Sequence, residues 1–242
     1  MTGSMAQTQK GVVGEAWGAV MDLVFPVQCA GCHKWDVQLC DQCASMATRV
    51  SAEMVLEDSA GVPYAPLFGL GKYEGALRNV VLSAKHDPNH NLDRFLWAAG
   101  NALGEAVGEQ LKGGCRIAHR GGFPPSEVWV VGAPPSHARK RKRMEIVPTI
   151  AQGLASGLTR VGVGAVVVDA VSLRSWRRSQ AGRSEKQRRL GRSGALQLEL
   201  PPAEGAPVVL VDDVVTTGAT MREMVRLLHP NVVSAAALAV AL

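Results

Sequence analysis

The apolar positions of this 242-residue chain change period several times, and each change marks an element. Residues 92–111 place apolar side chains three and four apart, which predicts an amphipathic helix. Residues 128–132, Val-Trp-Val-Val-Gly, read as a strand stopped by Pro134 and Pro135, and residues 147–158 predict a second helix. Runs rich in β-branched and small apolar residues at 163–171, 206–211 and 232–242 predict three further strands, with a helix over 221–229 before the last. Near-continuous apolar strands alternating with helices predict an α/β fold, a parallel sheet with helices on both faces that binds ligands at its carboxyl ends.

Ahead of this pattern the periodicity is replaced by cysteines. Cys29, Cys32, Cys40 and Cys43 fall within fifteen residues and Cys115 stands alone. The polar, acidic stretch 51–60, followed by Gly61, Pro63 and Pro66, reads as a linker. The expected organisation is a cysteine module over 22–50 and a main domain over 67–242. Composition adds bounds: 47% hydrophobic and 19% charged residues describe a globular protein, and no apolar run approaches the roughly 20 residues of a membrane span. The first ten residues contain no secretory h-region, so a cytoplasmic location is expected. A formal charge of +5 and a pI near 9.1 favour an anionic partner. The excess is concentrated in Arg139-Lys140-Arg141-Lys142-Arg143 and between Arg174 and Arg192, which a solvated basic face also explains.

The segment that carries chemistry is Val208 to Thr220. A buried strand over 208–211 is followed by Asp212 and Asp213, expected where the backbone leaves the sheet. Val214 and Val215 come next, then a turn of Thr216, Thr217, Gly218, Ala219 and Thr220, and then a helix. Such a turn aims backbone N–H groups and the positive end of a helix into one concavity, a site for a phosphate dianion. Gly218 permits close approach and the threonine hydroxyls add donors, while two adjacent carboxylates suit the vicinal hydroxyls of a sugar. Phosphate plus diol points to a sugar phosphate. Ordinary strand-to-helix connection chemistry is the plain alternative, since Asp and Thr are favoured helix caps. Other phosphate motifs fail: Gly69-Leu70-Gly71-Lys72 lacks P-loop spacing, and Val167 stands where the third glycine of a dinucleotide fingerprint belongs.

The two Cys-x-x-Cys turns, Cys29/Cys32 and Cys40/Cys43, are seven residues apart and can converge four thiolates on a structural zinc ion. Four protein ligands leave no open position, so the metal would contribute folding energy. A disulfide pair, a redox pair and an iron–sulfur centre are the other uses of such a pattern.

All thirteen positions of 208–220 resemble the phosphoribosyl pyrophosphate signature of type I phosphoribosyltransferases. The cysteine module placed before it resembles the ComF family, associated with DNA uptake in natural competence. Weaker matches to that family are Tyr73-Glu74-Gly75-Ala76-Leu77-Arg78, Ala84-Lys85-His86 and Val131-Gly132-Ala133-Pro134-Pro135-Ser136. The stretch from Leu173 to Arg189 resembles its mobile loop. One departure stands out, Arg143-Met144-Glu145-Ile146-Val147 where the family runs Arg-Gly-Phe-Asn-Gln.

The resemblance implies a type I phosphoribosyltransferase-like parallel sheet with helices on both faces, plus a small N-terminal four-cysteine zinc module. It implies binding of phosphoribosyl pyrophosphate with magnesium: Asp212 and Asp213 at the ribose hydroxyls, Val215 to Thr220 around the 5-phosphate, and a homodimer. Transfer to an acceptor would displace pyrophosphate at ribose C1, with Lys85, Arg139 and Arg183 as candidate pyrophosphate partners. The acceptor is left open, because the selecting hood falls in 69–91. A rival reading of another class is a single-stranded DNA-binding protein, in which the basic runs and Trp35, Trp97, Trp129 and Trp176 hold nucleic acid and the sugar-phosphate pocket is regulatory or vestigial.

Overall fold

The computed structural model of the protein describes residues 27–57, 60, 62–113, 127–135, 145–174 and 194–241. The first unit among the described residues is the cysteine knuckle. Cys29 N–H donates to the Lys34 carbonyl and His33 N–H to that of Cys29, closing a tight loop before the one-turn helix α1 (Asp41–Ala44). Strands β1 (Ser51–Glu57) and β2 (Pro63–Gly69) follow, then helices α2 (Gly75–His86) and α3 (Asp93–Lys112). Next come strand β3 (Val128–Gly132), helix α4 (Val147–Arg160) and the short strands β4 (Ala165–Val167), β5 (Val171–Leu173) and β6 (Leu196–Leu198). Strand β7 (Val208–Val215), helix α5 (Ala219–Leu228) and strand β8 (Val232–Val240) end the described chain. No helix among the described residues is long and apolar enough to cross a membrane.

The main sheet runs β1-β2-β8-β7-β3-β4, parallel throughout except for the antiparallel edge pair β1/β2. Alternation along β7 sends Val209 and Val211 to one face, against Val80, Leu103, Ile150 and Leu154 from α2, α3 and α4. It sends Val208 and Leu210 to the other, against Met221, Met224 and Leu228 of α5. The crossover from β3 to β4 therefore runs through α4 on one face, and that from β7 to β8 through α5 on the other. These crossovers lead away in opposite directions, so the gap between the carboxyl ends of β3 and β7 is the point where the strand order reverses, the position at which α/β sheets bind ligands.

Several expectations are revised. The 51–60 stretch is no linker over its first seven residues: it forms β1, an edge strand with Leu56 buried and Val55 54% exposed. The polar residues Ser51, Glu53 and Glu57 along it imitate a loop in sequence. The 163–171 run is two short strands in two different sheets, β4 on the main sheet and β5 in a hairpin with β6. The 69–91 stretch, left without an element, holds α2, which buries Leu77, Val80, Val81 and Lys85. Asp212 and Asp213 do not leave the sheet, because β7 continues to Val215 beside Val240 of β8.

Helices α3 and α4 meet through glycine on both sides. A Cβ on Gly100 or Gly104 would lie 2.2 Å from the Ile150 or Leu154 carbonyl oxygen, and one on Gly157 would lie 2.0 Å from that of Asn101. The two backbones are thus in direct contact, and no side chain separates them. In an exposed helix Gly→Ala stabilises by about 1 kcal/mol. Here Gly157→Ala is expected to lower stability by about 2 kcal/mol, because the added methyl forces apart two packed backbones. Denaturant unfolding checks this; a variant as stable as the parent would contradict the seam.

Candidate functional site

At the reversal point a cleft of about 480 Å³ opens over the end of β7. Its floor is Asp212, Asp213 and Val214; Thr216, Ala219, Thr220 and Glu223 line one side, and Tyr73 and Lys85 another. Ala133 and Pro134, at the end of β3, and Leu173, Ala195 and Leu196, from the hairpin, complete the wall. A small annex bounded by Ala133, Pro134, Glu145, Ile146 and Val147 joins it beside the two acids.

Because adjacent strand residues face opposite sides, the two acids have different surroundings. Asp213 is buried and its Oδ1 lies 2.7 Å from Lys85 Nζ, with side chains 7% and 8% exposed. Asp212 is half-buried, and its Oδ1 accepts the N–H of Asp213 at 2.7 Å. Lys85 therefore serves as the counter-ion of Asp213, a role its sequence position does not reveal. A buried carboxylate needs such a partner, since an uncompensated interior charge costs several kcal/mol.

The turn between β7 and α5 is shorter than expected: the helix begins at Ala219 and not at 221, so Ala219 and Thr220 belong to its first turn. Gly218 is left-handed, with φ of 68°, as the residue before α5. Thr217 Oγ1 accepts the Ala219 N–H at 3.4 Å. Thr216 and Thr217 are exposed, and Thr220 is half-buried at the cleft wall. The first-turn amides of a ten-residue helix have no helical acceptor, and that of Ala219 is met by the Thr217 hydroxyl, so the helix N-terminus and the threonine hydroxyls of Thr216 and Thr220 lie together at the side of the cleft.

Glu223, one turn into α5, escaped the sequence reading. Buried at 6% exposure, it accepts from Arg226 Nε at 2.9 Å and from Gly194 N–H at 2.8 Å, tying α5 to the chain two residues before β6. The Arg226 guanidinium holds its carboxyl below the usual range against the opposing effect of burial, with Gly194 N–H assisting. Its spacing from Thr220, three residues along a helix, is the only signal of its place in the wall. The departure at Glu145-Ile146-Val147 has a packing meaning: Ile146 and Val147 are buried in the core under the annex, and Val147 packs against Gly132. Arg139 and Arg183, together with both basic runs except Arg174, lie outside the described residues.

In the knuckle, the sulfur atoms of Cys29, Cys32, Cys40 and Cys43 all lie within 4.8 Å of one another, and those of Cys32 and Cys40 are 3.6 Å apart. Tetrahedral Zn–S bonds of about 2.3 Å put sulfurs about 3.8 Å apart, so the residues fit the ion. Burial would raise the Cys29 thiol, but N–H groups of Cys40, Cys32 and Gly31 outweigh it and hold it at about 6. Burial and the neighbouring sulfurs of Cys40, Cys29 and Cys32 push Cys43 up. A set in which one thiolate opposes the ionisation of its neighbour is one that a cation completes.

Residues 148–242 match the family model described as "Phosphoribosyl transferase domain". That span runs from α4 to β8 and contains the acids, the threonine turn and Glu223. Among solved structures, the chain is similar to a mutant hypoxanthine phosphoribosyltransferase from Trypanosoma cruzi in a ternary substrates complex. The identity is 14%, over 60% of this chain and 66% of that one, with a TM-score of 0.34. It is also similar to an asparagine mutant from an analysis of an invariant aspartic acid in HPRTs, at 13% identity over 60% and 64%, with a TM-score of 0.34. The chain thus spans just under two thirds of the length of either. No curated protein matches it. The fold is a phosphoribosyltransferase-like α/β arrangement with a mostly parallel sheet and a four-cysteine cluster near the N-terminus.

Two outcomes follow from this geometry. Purified protein is expected to hold about one metal per chain and to lose the knuckle's fold on chelation, checked by metal analysis and circular dichroism; a metal-free protein with the same melting curve would contradict it. Glu223 has a depressed folded-state carboxyl, so its stabilisation is present above its ordinary 4.5 and is lost as pH falls through the folded value. Glu223→Gln is therefore expected to cost about 1 kcal/mol at neutral pH and progressively less in acid, read from urea midpoints against pH.

Proposed function

We propose that the cleft binds phosphoribosyl pyrophosphate with magnesium and that the chain acts as a phosphoribosyltransferase toward an acceptor still to be identified. One observation carries this reading: the thirteen residues 208–220 put two acids and a threonine turn on the wall of one cleft, at the point where the strand order reverses. The match of 148–242 to the transferase family model supports it.

In this reading Thr216, Thr217, Thr220 and the amides of 218–220 hold the 5-phosphate, with the positive end of α5 beneath it. The carboxylates of Asp212 and Asp213 accept from the ribose hydroxyls, directly or through the hydrated cation. The magnesium ion, when bound, neutralises the pyrophosphate oxygens. A bond then forms from the acceptor nucleophile to ribose C1 as the bond from C1 to the pyrophosphate oxygen breaks, and pyrophosphate leaves with that electron pair. Lys85, held against Asp213, has a positioning part in this scheme. Arg139 and Arg183 remain its proposed pyrophosphate partners.

We further propose membership of the ComF family, on the strength of the four-cysteine knuckle that precedes the transferase fold. Trp35, 56% exposed on that knuckle, supports a second reading, in which single-stranded nucleic acid stacks there.

Calorimetric titration with phosphoribosyl pyrophosphate and magnesium tests the main reading. Asp212→Asn is expected to weaken binding on the order of 10-fold with little loss of stability. Asp213→Asn is expected to weaken binding and also to destabilise the chain by about 3 kcal/mol, because it strands Lys85. Together they should abolish binding; a double variant that binds like the parent would refute the assignment. Affinity for single-stranded DNA that falls steeply with salt and ignores both substitutions would favour the second reading.

A further inference from the structure

Helix α2 touches both functional features of the chain. On one side, Asn79 Nδ2 donates to the Gly31 carbonyl at 2.8 Å and lies 3.3 Å from His33 Nε2. Gly31 sits between two of the four cysteines, and its α-carbon is so close to α2 that a Cβ there would meet Val80 Cγ2 at 3.2 Å. The exit of α2 is fastened to the same module. His90 Nδ1 is 2.7 Å from Asp87 Oδ2, and its Nε2 is 2.8 Å from the Gln28 carbonyl oxygen.

On its other side α2 presents Lys85 to Asp213. Residues 79 and 85 are about 120° apart around a helix and about 9 Å apart along it, so one rigid element can hold the knuckle and the cleft at the same time. Of the contacts that fix the height of α2 at the cleft, those to the knuckle flank Lys85 in sequence on both sides, at Asn79 and at 87–90.

We propose that the four-cysteine knuckle sets the position of Lys85 through α2, and thereby tunes how firmly Asp213 grips a ribose in the cleft. The inference rests on the reading of the cleft as a phosphoribosyl site. An ion pair buried to this degree tolerates little separation, because the attraction falls with distance while the cost of the bare charge stays. If α2 is released from the knuckle, the ammonium withdraws and the carboxylate is displaced from the floor of the cleft. Asn79 and Lys85 are thus positioning residues for Asp213. The threonine turn is carried by β7 and α5 and does not depend on α2, so the link should act on the ribose and not on the phosphate.

The test uses the full chain with its metal, as Asn79→Ala and, to keep the side-chain size, Asn79→Asp. Both are expected to retain the parent's metal content and to exchange amide hydrogens faster across 80–86. They should bind phosphoribosyl pyrophosphate with magnesium about 5- to 10-fold more weakly, a modest coupling between sites. Inorganic phosphate, titrated alone, should bind as to the parent. Equal weakening of both ligands would mean general loosening and would overturn the link, as would unchanged affinity for phosphoribosyl pyrophosphate. If the parent binds no phosphoribosyl pyrophosphate, the reading of the cleft fails and the link is decided by exchange alone. Faster exchange over 80–86 on withdrawing the knuckle metal, with β7 and β8 unaffected, upholds it; unchanged exchange overturns it.

Discussion

Strand β7 lies between two parallel neighbours and under helices on both faces, and this confinement governs the rest of the molecule. Along Val208 to Val211 no position reaches water, so every side chain there is apolar. Charge can enter only at the carboxyl end, where the covering helices stop, and even there Asp213 is tolerated because Lys85 meets it. A site for an anionic sugar is therefore confined to one place, and the reversal of strand order next to β3 gives that place its depth.

The parts of the fold that could be read in advance are those in which a local pattern equals a structural rule. The helix at 93–112, the strand at 128–132 and the β7-turn-α5 unit follow from periodicity and from turn chemistry. What stayed hidden depends on partners far away in sequence. Edge strand β1 is fixed by its pairing with β2, and α2 starts with Gly75 and carries the adjacent β-branched pair Val80-Val81, a weak helical signature. The glycines of the α3–α4 seam are unfavourable in isolated helices, and their purpose exists only when both helices are present.

The site shows the same division. Its acids and threonines were legible because they are contiguous, whereas Lys85 and Glu223 act through groups 128 and 29 residues distant. Sequence chemistry identified Lys85 as a cation near the cleft, and its partner within the protein, the Asp213 carboxylate, came into view only with the fold. Helix α2 has the same character, since its two attachments become meaningful only once the knuckle and the cleft are both seen against it.

The pairing of β2 with β8 bears on how the chain acquires its structure. Leu67 lies beside Ala235, and Ser234 Oγ donates to the Pro66 carbonyl oxygen across 168 residues. During synthesis, β1, β2 and the two helices after them must wait for the last strand before the sheet can accept them, a long-range closure that slows folding and prolongs the exposure of apolar surface. The cysteine knuckle, by contrast, closes over fifteen residues as soon as it emerges. It can offer Ala30 and Ala47, both part of the eventual core, as a nucleus for α2 and α3 while the remainder of the chain is still being made.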